Sequence, residues 1–277
     1  MAERRYEYAP AGTLPGLLQR GRGLGALMAA EDPAAAAELV YGCVRWEWRW
    51  DASVDQRDRY LARLVRDLAL PLGPVVELLS AGDAARERAV RVLELLALDG
   101  SDEAREALRA HGREDGRGSP EPLAGPGEPP DGRGVPALVA ELERCWVEQT
   151  WRGPAGLAWE LGRFGAEAAG AASLLRRFWL WTPHSSERAA YLEGLAAVGS
   201  AGMGEAYTES LWDCEADARL LGVERAPDEP RVRERLVGLR DDPMEETAVR
   251  EAARARLAGP AWGPSGRAGR ESAGELE

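Results

Sequence analysis

The chain has 277 residues, of which 45% are hydrophobic, enough to bury a sizeable core as one or two domains. All 35 basic residues are Arg, and Lys, Ile and Asn are absent, a bias typical of high-GC codon usage. Without Lys there is no phosphate-binding P-loop and no Schiff-base chemistry, and without Asn no glycosylation sequon and no kinase catalytic loop.

The net charge of −12 is spread along the chain. Residues 1–110 carry 15 Arg against 18 acids and residues 136–258 carry 15 Arg against 21, so neither half is a basic module. This balance argues against nucleic acid as the main partner, because nonspecific binding neutralises phosphates with cationic side chains.

From the start of the chain, MAERRYEYAP is not followed by the apolar stretch of a signal peptide, and no window is apolar enough for a membrane span. GRGLG (Gly21 to Gly25) superficially resembles a nucleotide-binding loop, but no strand precedes it and the GxGxxG spacing is missing. A helix is expected over 33–45. RWEWRWD follows, with Trp46, Trp48 and Trp50 interleaved with Arg45 and Arg49. It reads either as a surface that grips a peptide or base by stacking, or as a helix-end cluster packed on the next helix.

DQRDRYLARLVRDL places Tyr60, Leu61, Leu64 and Leu68 on one helical face. Further helices are expected over 73–80, 83–98, 102–110, 136–148, 154–163, 166–178, 185–198, 203–211, 215–222, 229–238 and 245–257. Gly, Pro or Asp stand at their joints. Residues 112–134, dense in Gly, Pro and acids, read as a linker or long loop, and residues 259–277 as a disordered tail.

Trp146, Trp151, Trp159, Trp179 and Trp181 form a second aromatic group, readable as core or as the lining of a groove with Trp179, Trp181, His184 and Tyr207. Only His111 and His184 are available as imidazole bases, so a His-rich metal site is excluded. His184 beside Ser185 and Ser186 reads as a helix start capped by Ser185, since neighbours in sequence do not make a triad. Asp241-Asp242 and Glu245-Glu246 precede a helix, where they favour its dipole. Cys43, Cys145 and Cys214 are odd in number and lack CxxC spacing, as reduced cytoplasmic thiols do.

A period runs through the second half: Arg188, Arg219 and Arg250 are evenly spaced, each early in a helix. Each helix follows a turn containing Thr182-Pro183, Asp213-Cys214 or Asp242-Pro243. ERAAYLEGLAAVG (187–199) matches ERAVRVLELLALDG (87–100), with Ala after the Arg, an apolar residue four places on and Leu seven places on, which adds Arg88 to the set.

These segments resemble HEAT repeats, the short bacterial kind in which a Pro-containing turn precedes a helix bearing Arg and small residues. The resemblance covers 73–110 and 154–257, and only weakly the segment before Leu70. It implies an all-α superhelix (solenoid) of antiparallel helical hairpins, with N-terminal repeats over 1–111 and C-terminal repeats over 135–258. Arg88, Arg188, Arg219 and Arg250 would each tie one repeat to an acid of its neighbour. The function implied is a noncatalytic cytoplasmic scaffold that binds a protein partner, with no cofactor and no metal. Trp46, Arg49, Trp50, Trp179, Trp181, His184 and Tyr207 are its candidate binding residues. The alternative is the HEAT-like alkylpurine DNA glycosylase type, which works with Trp, Asp and Arg along a cleft but implies a basic channel. Bilin lyases, a third and weaker resemblance, share short HEAT-like repeats.

Overall fold

The structure, a computed structural model, describes residues 7–111 and 133–259. The linker reading for 112–132 and the tail reading for 260–277 lie outside those residues. Among the described residues every regular element is helical. The order is α1 (Leu14–Gln19), α2 (Gly23–Glu31), α3 (Pro33–Arg45), α4 (Arg57–Asp67), α5 (Gly73–Glu77), α6 (Asp83–Leu98) and α7 (Asp102–Ala110). After the break come α8 (Val135–Glu148), α9 (Pro154–Gly162), α10 (Ala172–Trp181), α11 (Arg188–Ala197), α12 (Met203–Ser210), α13 (Ala216–Arg225), α14 (Pro230–Asp241) and α15 (Thr247–Ala258). Short 3-10 turns extend α5 and lead into α10 and α11. None of these helices is long and apolar enough to cross a membrane.

Local chemistry sets the helix starts. Asp32 accepts from Ala35 N at 3.0 Å and Pro33 opens α3; Ser101 accepts from Ala104 N at 3.2 Å with Asp102 and Glu103 in the first turn of α7. A side-chain acceptor satisfies an amide that the helix cannot, and an acid there meets the positive end of the dipole. Helix α1 is built the same way from Thr13 and Pro15. The apolar pattern does not predict α1 and α2, because the Gly-rich GRGLG segment has no helical period.

Two apolar clusters form the core. One runs from Leu138 to Ala253 and includes Phe178, Trp179, Tyr191 and Tyr207. The other gathers Leu18, Val40, Tyr60, Leu61, Val75, Val92, Leu93 and Ala104 from the N-terminal helices, with Cys214 and Met244 from the turns before α13 and α15. Those two turns therefore stitch the halves together. In the C-terminal half α9 packs on α11, α11 on α13 and α13 on α15.

Candidate functional site

GRGLG is a packing corner. Gly21 has φ +66°, and a Cβ there would stand 2.6 Å from Cys214 Sγ; a Cβ on Gly23 would collide with the Glu209 carbonyl oxygen. Only glycine lets the α1–α2 corner press this closely on the end of α12, which carries Glu209, and on the turn that carries Cys214. Between the glycines, Arg22 points inward and is wholly buried. Its Nε and Nη2 donate to Glu209 Oε1 at 2.8 and 2.5 Å, its Nη1 to the Trp179 and Leu180 carbonyls at 3.2 Å, and its guanidinium lies 4.2 Å from the Trp179 ring centre.

From this corner a seam of buried arginines and carboxylates runs between the halves. Arg188, at the start of α11, donates through Nε and Nη2 to both oxygens of Asp213 at 2.9 and 2.7 Å, and through Nη1 to the Arg20 carbonyl at 2.9 Å. Arg219, in the first turn of α13, does the same to Glu245 at 2.8 and 2.6 Å, and its Nη1 donates to the Asp213 and Cys214 carbonyls. From α4, Arg63 Nε donates to Asp242 Oδ2 at 2.7 Å, Arg63 Nη2 lies 2.9 Å from Glu245, and Arg66 Nη1 reaches Asp242 Oδ1 at 3.0 Å. Thus Asp242 and Glu245 do more than favour a helix dipole: each accepts from a nearby amide and also meets a guanidinium.

Burial works against charge on Arg188, and the Asp213 carboxylate outweighs it, leaving the guanidinium more firmly protonated than usual. Glu215 is pushed the other way. Burial first, then the neighbouring Asp55 charge, raise its pKa to about 7, with Arg188 opposing. Burial likewise drives the Cys214 thiol far up and the Cys43 thiol to about 12, so both stay protonated and neither is a nucleophile at neutral pH.

Asp55, Cys214 and Glu215 bring one donor atom each within 4.8 Å of one another. The positive role in that triangle is already filled. Arg57 lies 2.8 Å from Asp55, Arg188 donates to Cys214 Sγ at 3.0 Å, and Ser185 Oγ donates to Asp55 at 2.8 Å. Ser185, read from sequence as a helix cap, is spent on this contact. His184 is buried, which lowers its pKa, and its Nδ1 lies 3.2 Å from the Ser186 hydroxyl. A cavity of about 10 Å3, lined in part by Cys43, Glu47, Trp48, Arg49, Arg57 and Asp58, admits a water but no metabolite.

The candidate binding residues separate by burial. Trp179, His184 and Tyr207 are buried, and Trp179 lies under Arg22. Arg49 is half-buried and spends its forks on Glu47, at 2.9 and 2.7 Å, and Asp58, at 3.1 Å. Trp48 packs against Tyr8, and Trp50 is half-buried. Trp46 and Trp181 stand out, 62% and 41% exposed. Trp181 meets Trp146 edge-on at 6.1 Å, and Trp146 meets Trp151 at 5.8 Å and Phe178 at 5.4 Å. The Asp51–Arg152 pair, at 2.7 Å, joins the end of RWEWRWD to the loop beside Trp151, so the two Trp-rich stretches meet at one junction. No protein-family model, curated protein or solved structure matches the chain significantly.

Of the repeat arginines, Arg88 donates to the Val44 and Arg45 carbonyls at 2.8 and 2.6 Å, whereas Arg250 is half-buried and reaches Thr247 Oγ1 in its own first turn at 3.3 Å. Sequence reasoning missed Arg22, Arg57 and Arg63, the inward-facing arginines of the N-terminal half. It also missed Arg231 and Arg235, which lie over Trp212. Two Arg spaced four apart was the available signal for that last pair.

Proposed function

We propose that the chain is a noncatalytic HEAT-like repeat scaffold that binds a protein partner, its helices stacked as a short α-α solenoid. The stacking reading is supported by the packing of α9 on α11, α11 on α13 and α13 on α15. It is also supported by Arg188 and Arg219, which tie the start of one helix to the acid before the next. Such a repeat buries its apolar face only against its neighbours, which leaves an extended outer surface for a partner.

One observation carries the binding reading: Trp181 and Trp46 are exposed, and the Asp51–Arg152 pair links the two Trp-rich stretches that carry them. Exposed aromatic side chains beside Arg are the residue types that dominate interface energetics, and the edge-on Trp146 and Phe178 rings hold the Trp181 side in place. By contrast, the seam's arginines and carboxylates are spent on one another.

The test uses the full chain as bait in a lysate of its source cells, beside the Trp46→Ala/Trp181→Ala double variant. Trp159→Ala, also an exposed Trp, serves as a control. The expected result is a protein captured in near-equimolar amount by the wild type and the control and lost from the double variant, whose melting curve is unchanged. Capture of nothing in such amount, or equal capture by the double variant, ends the reading.

A further inference from the structure

Helix α14 carries Arg231 and Arg235 one turn apart, and both guanidinium groups lie over Trp212, 5.3 and 5.1 Å from its ring centre. Side chains four apart share a helix face, with Cβ atoms about 5–6 Å from each other. The indole therefore holds two like charges side by side. The seam arginines all meet carboxylates; among the described residues these two meet none within ion-pair distance. Arg235 spends one N–H on the Leu211 carbonyl, at 3.1 Å, and Arg231 is exposed.

The carboxylates that act on Arg235 are already paired elsewhere. Glu234 lies between the two in sequence and is exposed. From α4 and the turn before α15, Asp67 and Glu245 act on Arg235, but Asp67 is held by Arg66 at 2.7 Å and Glu245 by Arg219 at 2.6 Å. Arg63 and Arg219 face Arg235 from α4 and α13 and add positive charge. Arg63 is itself buried, and its Nη2, though close to Glu245, makes no well-aligned hydrogen bond.

A guanidinium drawn to an aromatic face by cation–π attraction keeps most of its N–H groups for other acceptors, and these can take an oxyanion through paired hydrogen bonds. We infer that Arg231 and Arg235, held on Trp212, form a binding site for a phosphate group carrying two negative charges. Two adjacent forks suit a dianion with several acceptor oxygens better than a single carboxylate. Burial, and then the Arg63 charge, lower the pKa of Arg235 only to about 10, so the guanidinium stays charged at neutral pH. These two charges act locally, because charges beyond about 8 Å are largely screened at physiological salt. The chain's overall −12 therefore does not cancel them.

The test is isothermal titration of inorganic phosphate, and separately of phenyl phosphate, into the full chain at pH 7.5 and 0.15 M salt. Saturable binding of one phosphate per chain is expected, weakening at pH 5.5, where most of either ligand has lost its second negative charge. Arg231→Glu, at an exposed position that leaves the fold intact, should weaken it about tenfold or more, as should Arg231→Gln/Arg235→Gln. Tighter binding of phenyl phosphate would identify a phosphate ester whose aromatic group lies on the indole; equal binding would identify phosphate alone. Absence of saturable heat for both ligands, or unchanged affinity in Arg231→Glu, overturns the assignment. The Arg231→Glu result decides it even if the double variant does not fold.

Discussion

Arg219 and Arg250 stand 31 residues apart, each early in its helix, yet they live in different environments. Arg219 is wholly buried, with both oxygens of Glu245 in its fork and two carbonyls on its remaining nitrogen. Arg250, in the last described helix, is half-buried and touches a threonine hydroxyl in its own turn. For Arg219 the turn between α14 and α15 brings an acid into place; no described helix pair follows α15 to do so for Arg250. The difference teaches that a repeated arginine matters through the element stacked beside it. Taking a guanidinium out of water is costly, and only a well-placed carboxylate offsets the cost.

The largest expected effect breaks the buried side of this comparison. Arg219→Ala leaves Glu245 buried with its main partner gone, which should cost about 3–5 kcal/mol and lower the melting temperature by several degrees. Arg188→Ala should do the same through Asp213. Pairing Arg219→Met with Glu245→Leu should recover much of the loss, since neither charge then stays buried alone. Thermal melts of these variants check this; an alanine variant as stable as wild type would mean that its buried ion pair adds nothing to stability.

Second in size is a pH effect in the same seam. Glu215 has an ordinary value of 4.5 when unfolded and about 7 when folded, so the native chain holds a proton that the unfolded chain releases. Its stabilising contribution is complete below pH 4.5 and is lost as pH rises through 7, a loss of about 3 kcal/mol. His184 tilts the other way, because its folded pKa lies below 6.5. The measurement is therefore a difference: wild type minus Glu215→Gln, by denaturant unfolding from pH 4.5 to 8. A difference that stays flat across that range would show that Glu215 does not hold its proton.

Smaller still is the effect at the aromatic junction. Trp46→Ala and Trp181→Ala remove exposed rings and should each change stability by about 1 kcal/mol or less. Trp179→Ala, the buried counterpart, opens a cavity beneath Arg22 and belongs with the largest effects, at about 3–5 kcal/mol. Circular dichroism melts separate the two outcomes. The smallest effect belongs to Arg250→Ala, expected within about 0.5 kcal/mol of wild type. A large loss there would mean that Arg250 has a partner beyond the described residues.

The helices themselves were legible in the chain. The expected spans 33–45, 83–98 and 102–110 coincide with α3, α6 and α7, because capping residues and a helical apolar period are local properties. Helices α1 and α2 were not legible. Their glycines are selected by contact with Glu209 and Cys214, which lie in the opposite half of the chain. The same limit applies to the site. The sequence marked Trp46, Trp179 and Trp181 alike as candidate binding residues, while the tertiary structure put Trp179 under Arg22 and left Trp46 and Trp181 at the surface. It marked Arg188, Arg219 and Arg250 as one series, and stacking gave carboxylates to two of them. Periodicity along one helix says which side chains share a face. Whether that face meets water, an apolar ring or a carboxylate depends on which distant segment the fold brings against it.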